Sequence, residues 1–276
     1  MMIFLRLEDC ITELNEVKKE TPDIKRHLNT LGSIEERILY LKDIYKGETA
    51  YYVTAGPSLG THDKKKLNDF LSDKLVCSVK HSYDYVGECV DFHLLNTWNH
   101  KKTKYVTDNT IVVYALAKSY FKEHLEFASM HPMDIFVPVS NPPFTMQHQT
   151  TAATREFDNL FSFRHGVEIK WGPGLTYELA FPIPLLLGCK KIITIGWDIG
   201  DPYAKWDSSQ HFVSDESSKE VYDDEKGTQP QDGELIEAIE STKEFYDWSV
   251  KRGIDIKIVS DRNPADKRFE RITLNV

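Results

Sequence analysis

The chain reads Thr-Ala-Tyr-Tyr-Val-Thr-Ala-Gly-Pro-Ser-Leu-Gly from Thr49 to Gly60. Its β-branched and aromatic residues at 50–54 predict a short buried strand. The strand stops at Gly56-Pro57, where the backbone must turn, and Ser58 follows with a hydroxyl and an amide. A strand that ends in a small-residue turn before a helix presents N–H groups to an anion. The stretch indicates a phosphate or nucleotide site, although an ordinary turn would have the same residues.

The composition is typical of a globular protein with a large core. The chain has 276 residues, of which 41% are hydrophobic and 28% are charged, enough for one α/β domain with a helical extension. No apolar run approaches the ~20 residues of a membrane span, and the first residues turn acidic too soon for a secretory signal. The cysteines form no Cys-x-x-Cys pair, so we expect reduced thiols, a cytoplasmic location and no zinc site. They are Cys10, Cys77, Cys89 and Cys189.

The negative charge is concentrated in one segment. The formal net charge is −9, and residues 198–237 account for all of it with twelve acids against three lysines. A nucleic-acid-binding protein needs a basic surface to meet the phosphate backbone. The charge distribution therefore argues against a nucleic-acid partner.

Hydrophobic periodicity predicts a helical beginning. An amphipathic pattern over 2–19 predicts a helix that Pro22 interrupts. Residues 33–36, Ser-Ile-Glu-Glu, form a capping box that starts another helix, and Gly47 is its stop signal. We therefore predict a helical N-terminal extension over 1–48, which packs on the sheet or on a partner.

The remainder, 49–276, alternates between strand and helix patterns. Apolar runs predict strands at 50–54, 75–80, 91–96, 110–114, 135–139, 192–196 and 254–259. Continuous apolar runs fit strands that are covered on both faces, and helices predicted at 63–71 and 234–250 alternate with them. We predict the α/β class, with a mostly parallel, Rossmann-like sheet and flanking helices. The polar, irregular stretch 199–232 is long enough to be a lid.

Two polar segments lie where a ligand would bind such a sheet. Asn96 ends the third predicted strand, where its amide would bind a base or a sugar, or would simply form a turn. A Gly-Pro-Gly-Leu-Thr segment containing Gly174 and Thr176 opens a helix, whose N-terminus favours an anion. A plain helix start is the alternative. Pro182 and Pro184 predict a break in this helix.

The strongest predicted strand runs into Ile-Gly-Trp-Asp-Ile-Gly-Asp-Pro-Tyr at 195–203. Asp198 and Asp201 would hold a divalent cation or a ligand hydroxyl, whereas Asp198 would equally cap backbone amides. Tyr203 would donate to a phosphate oxygen. His211, in the polar loop beyond, is either a general base or a solvated histidine.

In this order, the segments resemble the bacterial lipooligosaccharide sialyltransferases. They also resemble a broader group that includes flagellin motility-associated factors and archaeal pterin pyrophosphokinases. In both groups Gly-Pro-Ser-Leu after a strand, here 56–59, leads to Leu-Gly-x-x-x-Ile-x-x-x-Gly-x-Asp, here 187–198. The resemblance implies a modified Rossmann-like glycosyltransferase fold.

The resemblance also implies roles for residues of this chain. It assigns the catalytic base to His211 and the lid over the donor to 199–232. The family carries Asn before Gly-Pro-Ser, where this chain has Ala55. Together, the resemblance and the strand ends assign nucleotide and donor binding to eight residues. They are Gly56, Pro57, Ser58, Asn96, Gly174, Thr176, Asp198 and Tyr203.

Three functions follow as hypotheses. The preferred one is a sialyltransferase-like glycosyltransferase that moves a sugar from a nucleotide-activated donor, such as CMP-sialic acid, to a glycan or other hydroxyl acceptor without a cofactor. The second is a pyrophosphokinase-like phosphotransferase, in which Asp198 and Asp201 hold Mg²⁺. The third, suggested by Ala55, is a nucleotide- or glycan-binding module without catalysis.

Overall fold

Eight parallel strands form one sheet in the computed structural model, which describes residues 21–96, 109–117, 134–139, 156–161, 163, 176–201, 203 and 234–276. The strands are β1 Thr49–Val53, β2 Leu75–Val79, β3 Phe92–Asn96, β4 Ile111–Ala117, β5 Ile135–Val139, β6 Lys191–Ile195, β7 Asp255–Val259 and β8 Glu270–Arg271. Their order is β5-β4-β3-β2-β1-β6-β7-β8. The predicted α/β class is confirmed, and the short β8 is a strand that the apolar runs did not predict.

Helices cover both faces of this sheet. The described α-helices are α1 Thr21–Leu28, α2 Ile34–Leu41, α3 Lys64–Leu71, α4 Tyr83–Val86, α5 Phe157–Leu160, α6 Pro182–Leu186, α7 Glu234–Glu240 and α8 Thr242–Lys251. Short 3₁₀ turns lie at Pro57–Thr61, Lys80–Ser82 and Gly87–Cys89, and a π-turn lies at Thr176–Ala180. No helix in the described ranges is long and apolar enough to cross a membrane.

The strand order reverses between β1 and β6. The chain proceeds from β1 to β5 on one side, and then starts again with β6 on the other side of β1. Because crossover connections are right-handed, this reversal puts the helices of the two halves on opposite faces. Leu67 of α3 packs with Val53 on one face, whereas Phe245 of α8 shares the larger core with Tyr52 on the other. The reversal opens a crevice at the carboxyl ends of β1 and β6.

The described helices of the predicted extension pack on the sheet. Ile24 and Leu41 are buried in the larger core, together with residues of β3, β4 and β5. Lys25 of α1 donates to the carbonyl oxygen of Thr110 at 2.7 Å and to Oδ2 of Asp134 at 2.9 Å. This stretch is part of the same core as the strands. The helix predicted over 2–19 lies outside the described residues.

The start of α2 is as predicted, whereas its end and the place of Pro22 are not. The capping box is present, because the amide of Glu36 donates to Ser33 Oγ at 3.1 Å and the amide of Ser33 donates to Glu36 Oε2 at 2.9 Å. The helix ends earlier than Gly47, at Leu41. Pro22, expected to interrupt a helix, lies in the first turn of α1, where its missing N–H costs nothing.

The single helix predicted over 234–250 is two helices. Ser241 separates α7 from α8, and its hydroxyl donates to the carbonyl oxygen of Ala238 at 3.1 Å. The hydroxyl of Thr242 donates to the carbonyl oxygen of Ile239 at 2.6 Å. These side chains compete with backbone N–H groups for the same carbonyls, which explains the break.

Candidate functional site

The site lies where the carboxyl ends of β1 and β6 meet. The amide of Thr54 donates to the carbonyl oxygen of Ile195 at 2.9 Å, and the amide of Gly56 donates to that of Gly196 at 3.0 Å. The segments that follow β1 and β6 therefore stay hydrogen-bonded to each other beyond the ends of the strands. Because all strands are parallel, the end of β3 at Asn96 lies on the same rim.

Position 56 requires glycine because the segments after β1 and β6 approach each other closely there. A Cβ atom at position 56 would lie 2.2 Å from the carbonyl oxygen of Gly196 and 2.7 Å from Oδ2 of Asp198. Gly196 has φ +73°, a conformation that glycine adopts most readily. The sequence suggested a glycine that lets a phosphate approach; the structure shows a glycine that lets β6 approach.

Asp198 binds the turn that follows β1. Its Oδ2 accepts from the amide of Ser58 at 2.7 Å, and its Oδ1 accepts from the hydroxyl of Ser58 at 2.7 Å. Both residues are only 6% exposed. Asp198 thus caps a backbone amide, which was one of the two alternatives for it. The Ser58 donors, expected to be open to an anion, are already engaged by this carboxylate.

The loop after β7 forms a further wall of the site, which was not predicted from the sequence. The hydroxyl of Ser260 donates to Oδ1 of Asp198, and Nδ2 of Asn263 donates to the carbonyl oxygen of Trp197. Both side chains are buried. A polar run directly after the last long strand, Ser-Asp-Arg-Asn at 260–263, was the available signal, since ends of parallel strands share one rim.

Thr176 contacts β1, the strand that leads into the site. Its hydroxyl oxygen lies 3.1 Å from the hydroxyl oxygen of Tyr52. Thr176 opens the π-turn, in which the amide of Phe181 donates to the Thr176 carbonyl oxygen at 3.0 Å. Pro182 starts α6 immediately afterwards, so the predicted break in this helix is confirmed. Gly174 lies outside the described residues.

The loop that leaves β6 is strained. Ile199 has φ +60°, which is costly for a β-branched residue, and Gly200 has φ +102°. The amide of Tyr203 donates to Oδ1 of Asp201 at 2.9 Å, and the Tyr203 side chain is 87% exposed. Strain of this kind clusters at functional sites. The exposed phenol is available to a ligand at this rim.

A buried histidine shapes the neighbouring rim after β2. His93 Nε2 lies 3.0 Å from the carbonyl oxygen of Lys80, and the ring stacks on Tyr83 with centroids 4.4 Å apart. Burial lowers the pKa of His93 to about 4, so that the imidazole is neutral at pH 7. Lys80 has φ +52°. A neutral His93 that donates through Nε2 would hold this left-handed turn, a contact that was not predicted from the sequence.

The spacing of Gly56, Ser58 and Gly60 is also that of a hydrolase nucleophile elbow. In such an enzyme the serine hydroxyl is exposed and donates to an imidazole. Here Ser58 is buried and its hydroxyl donates to the carboxylate of Asp198. The hydroxyl of Ser58 therefore has a carboxylate partner in place of the imidazole, so the geometry argues against a serine hydrolase.

The structure therefore brings some of the predicted site residues together. Gly56, Ser58 and Asp198 are in direct contact, with Pro57 between them at the start of the 3₁₀ turn. His211 lies outside the described residues, as does most of the predicted lid. No group of three or more His, Cys, Asp or Glu side chains in the described ranges has an arrangement able to hold a metal ion.

Comparisons with known proteins return neither a matching protein-family model nor a matching curated protein. A Rossmann-like sheet by itself hosts many unrelated activities. The assignment of a function therefore depends on the chemistry of the rim.

Proposed function

We propose that the crevice between β1 and β6 binds a nucleotide-activated sugar and that the protein is a sialyltransferase-like glycosyltransferase. The observation that supports this most is the joining of the Gly56–Ser58 turn to Asp198 at the reversal of strand order. In open α/β sheets, ligands bind at that reversal, outside the carboxyl ends of the strands.

In this proposal Asp198 is a positioning residue. Its carboxylate accepts from the amide and hydroxyl of Ser58 and from the hydroxyl of Ser260, so it fixes the exits of β1, β6 and β7 relative to one another. Direct contacts with the donor then fall to groups on the rim around it. The exposed Tyr203 and the half-buried Thr176 are the candidates among the described residues.

The reaction would be a displacement at the anomeric carbon of the sugar. The bond from that carbon to the phosphate oxygen breaks, and the phosphate leaves with the electron pair, stabilised by a hydrogen bond from the phenol of Tyr203. The acceptor hydroxyl forms the new bond while His211 takes its proton. Closure of 199–232 would exclude water, which otherwise hydrolyses the donor.

The magnesium-dependent alternative requires Asp198 and Asp201 as ligands. Three hydrogen bonds to the Asp198 carboxylate already use most of its acceptor capacity, which favours the metal-independent reaction. A chelator separates the two hypotheses, since diphosphoryl transfer would stop without Mg²⁺ and the glycosyl transfer would continue.

A thermal-shift screen tests the proposal. CMP, CDP, UDP, GDP, ATP and GTP are each added with and without Mg²⁺. A nucleotide present at 100 times its dissociation constant should stabilise the protein by about 2.7 kcal/mol. The matched variant Tyr203→Phe should bind that nucleotide more weakly without a change in ligand-free stability. Absence of any nucleotide-dependent shift contradicts the proposal. Nucleotide binding without turnover of any activated sugar would favour the third hypothesis, a binding module without catalysis.

A further inference from the structure

The loop after β7 carries an exposed arginine, Arg262, between two residues that are anchored at the candidate site. Ser260 and Asn263, on either side of it, are both anchored to the β6 exit, through Asp198 and the carbonyl of Trp197. The amide of Arg262 donates to Ser260 Oγ at 3.1 Å. The backbone of Arg262 is therefore held in place, while its side chain is exposed.

Arg262 differs from the other arginines in the described ranges. Each of the other five donates from its guanidinium to a carboxylate or to a backbone carbonyl, and these are Arg26, Arg37, Arg252, Arg268 and Arg271. For Arg262 only the backbone amide has a hydrogen bond among the described atoms. A fixed backbone with an unengaged guanidinium suits the binding of an external group.

The charge of this rim makes such a cation necessary for an anionic donor. Asp198, Asp201 and Asp261 all lie on the loops that follow β6 and β7. These carboxylates repel a phosphate unless a positive charge is close to it. Guanidinium groups bind phosphate through two parallel hydrogen bonds, which makes arginine the suitable residue.

The distances allow this contact. Neighbouring strands are about 4.8 Å apart, a distance that a long side chain such as arginine can span. Since β7 pairs directly with β6, and Ser260 already contacts Asp198, a guanidinium two residues further on can extend to the β6 exit. We propose that Arg262 binds the phosphate of the nucleotide donor. The identification of the anion as a nucleotide rests on the proposed function, whereas the binding of an anion by Arg262 does not.

Inorganic pyrophosphate is the first probe, because it tests the anion site without assuming a nucleotide. Isothermal titration should show pyrophosphate binding to the wild type, weakened about 10-fold or more by Arg262→Ala and less by Arg262→Lys. Asp261→Asn should strengthen it, since one repelling carboxylate is removed. Arg26→Ala is the matched control, because it removes an exposed arginine from α1 and should change nothing. Far-UV circular dichroism checks that every variant is folded.

CMP and cytidine provide the second comparison. Arg262→Ala should weaken the binding of CMP. It should leave the affinity for cytidine, which has no phosphate, unchanged. Pyrophosphate binding that depends on Arg262, without binding of any nucleotide to the wild type, would defeat the proposed function and retain the anion site. The inference is overturned if the wild type does not bind pyrophosphate, or if Arg262→Ala binds it as tightly as Arg26→Ala does.

Discussion

The amide nitrogen of Ser58 lies 2.7 Å from Oδ2 of Asp198, although 140 positions separate the two residues in the sequence. This contact ties the exit of β1 to the exit of β6, where the strand order reverses. A buried carboxylate that accepts from an amide and from hydroxyls stabilises the turn as a unit. The geometry of the rim depends on it.

Asp198→Ala should therefore destabilise the protein by about 3 kcal/mol, because the amide and the hydroxyls that it binds lose their acceptor in a buried place. Asp201→Ala is the control, since Asp201 is exposed on the same loop and should change stability by about 0.5 kcal/mol or less. Urea unfolding measures both. Equal effects of the two substitutions would show that Asp198 does not anchor the turn.

Gly56→Ala tests the close approach of β1 and β6. The added methyl group would lie 2.2 Å from a backbone oxygen of Gly196, which cannot rotate away, so we expect a loss of several kcal/mol or a failure to fold. Gly253→Ala provides the comparison, because Gly253 has φ +65° but open space around it. That variant should lose only about 1 kcal/mol in thermal or urea unfolding. A Gly56→Ala protein as stable as Gly253→Ala would contradict the packing described.

His93 predicts a dependence of stability on pH. Its folded-state pKa of about 4 lies below the ordinary 6.5, so the unfolded chain binds more protons between these values. The free energy of unfolding should be fully retained above pH 6.5 and fall as the pH drops towards 4, by on the order of 3 kcal/mol. His93→Gln should lose this part of the slope, since glutamine does not titrate. Urea unfolding of both proteins between pH 4.5 and 7.5 measures the difference, and parallel curves would refute it.

The contact between Lys25 and Asp134 tests whether α1 belongs to the core. Both side chains are mostly buried, at 15% and 6% exposure, and Asp134 Oδ2 also accepts from the amide of Val112. Lys25→Met should cost about 2–4 kcal/mol, because it leaves a buried carboxylate without its cation. Arg26→Met, which removes the exposed pair with Asp23, should cost less than about 0.5 kcal/mol. Similar unfolding midpoints in urea would contradict a structural role for Lys25.

Sequence patterns predicted the sheet because buried parallel strands need continuous apolar runs. The runs at 75–80, 135–139 and 192–196 match β2, β5 and β6 within one residue at each end. Capping residues were equally informative, since Asp63 caps α3 through a bond to the amide of Lys66 within one turn. These signals act over a few residues, and a linear sequence displays them directly.

The arrangement of the site was less accessible, since it depends on distant contacts. Asp198 was recognised as a strand-end residue, but the sequence did not choose between a cap and a ligand for it. Ser260 is 62 positions from Asp198, and nothing local marks it as a partner. Gly56 was assigned to ligand approach because the position of Gly196 beside it follows only from the strand order.

Hydrogen exchange with the nucleotide selected by the thermal-shift screen tests the central claim most directly. At saturating nucleotide, mass spectrometry should find slower amide exchange in peptides covering 54–62 and 196–201, the exits of β1 and β6. Peptides at the opposite rim, such as 42–48, should exchange at the ligand-free rate and serve as the internal control. Protection confined to the opposite rim, or the same exchange with and without nucleotide, would contradict a nucleotide site between β1 and β6.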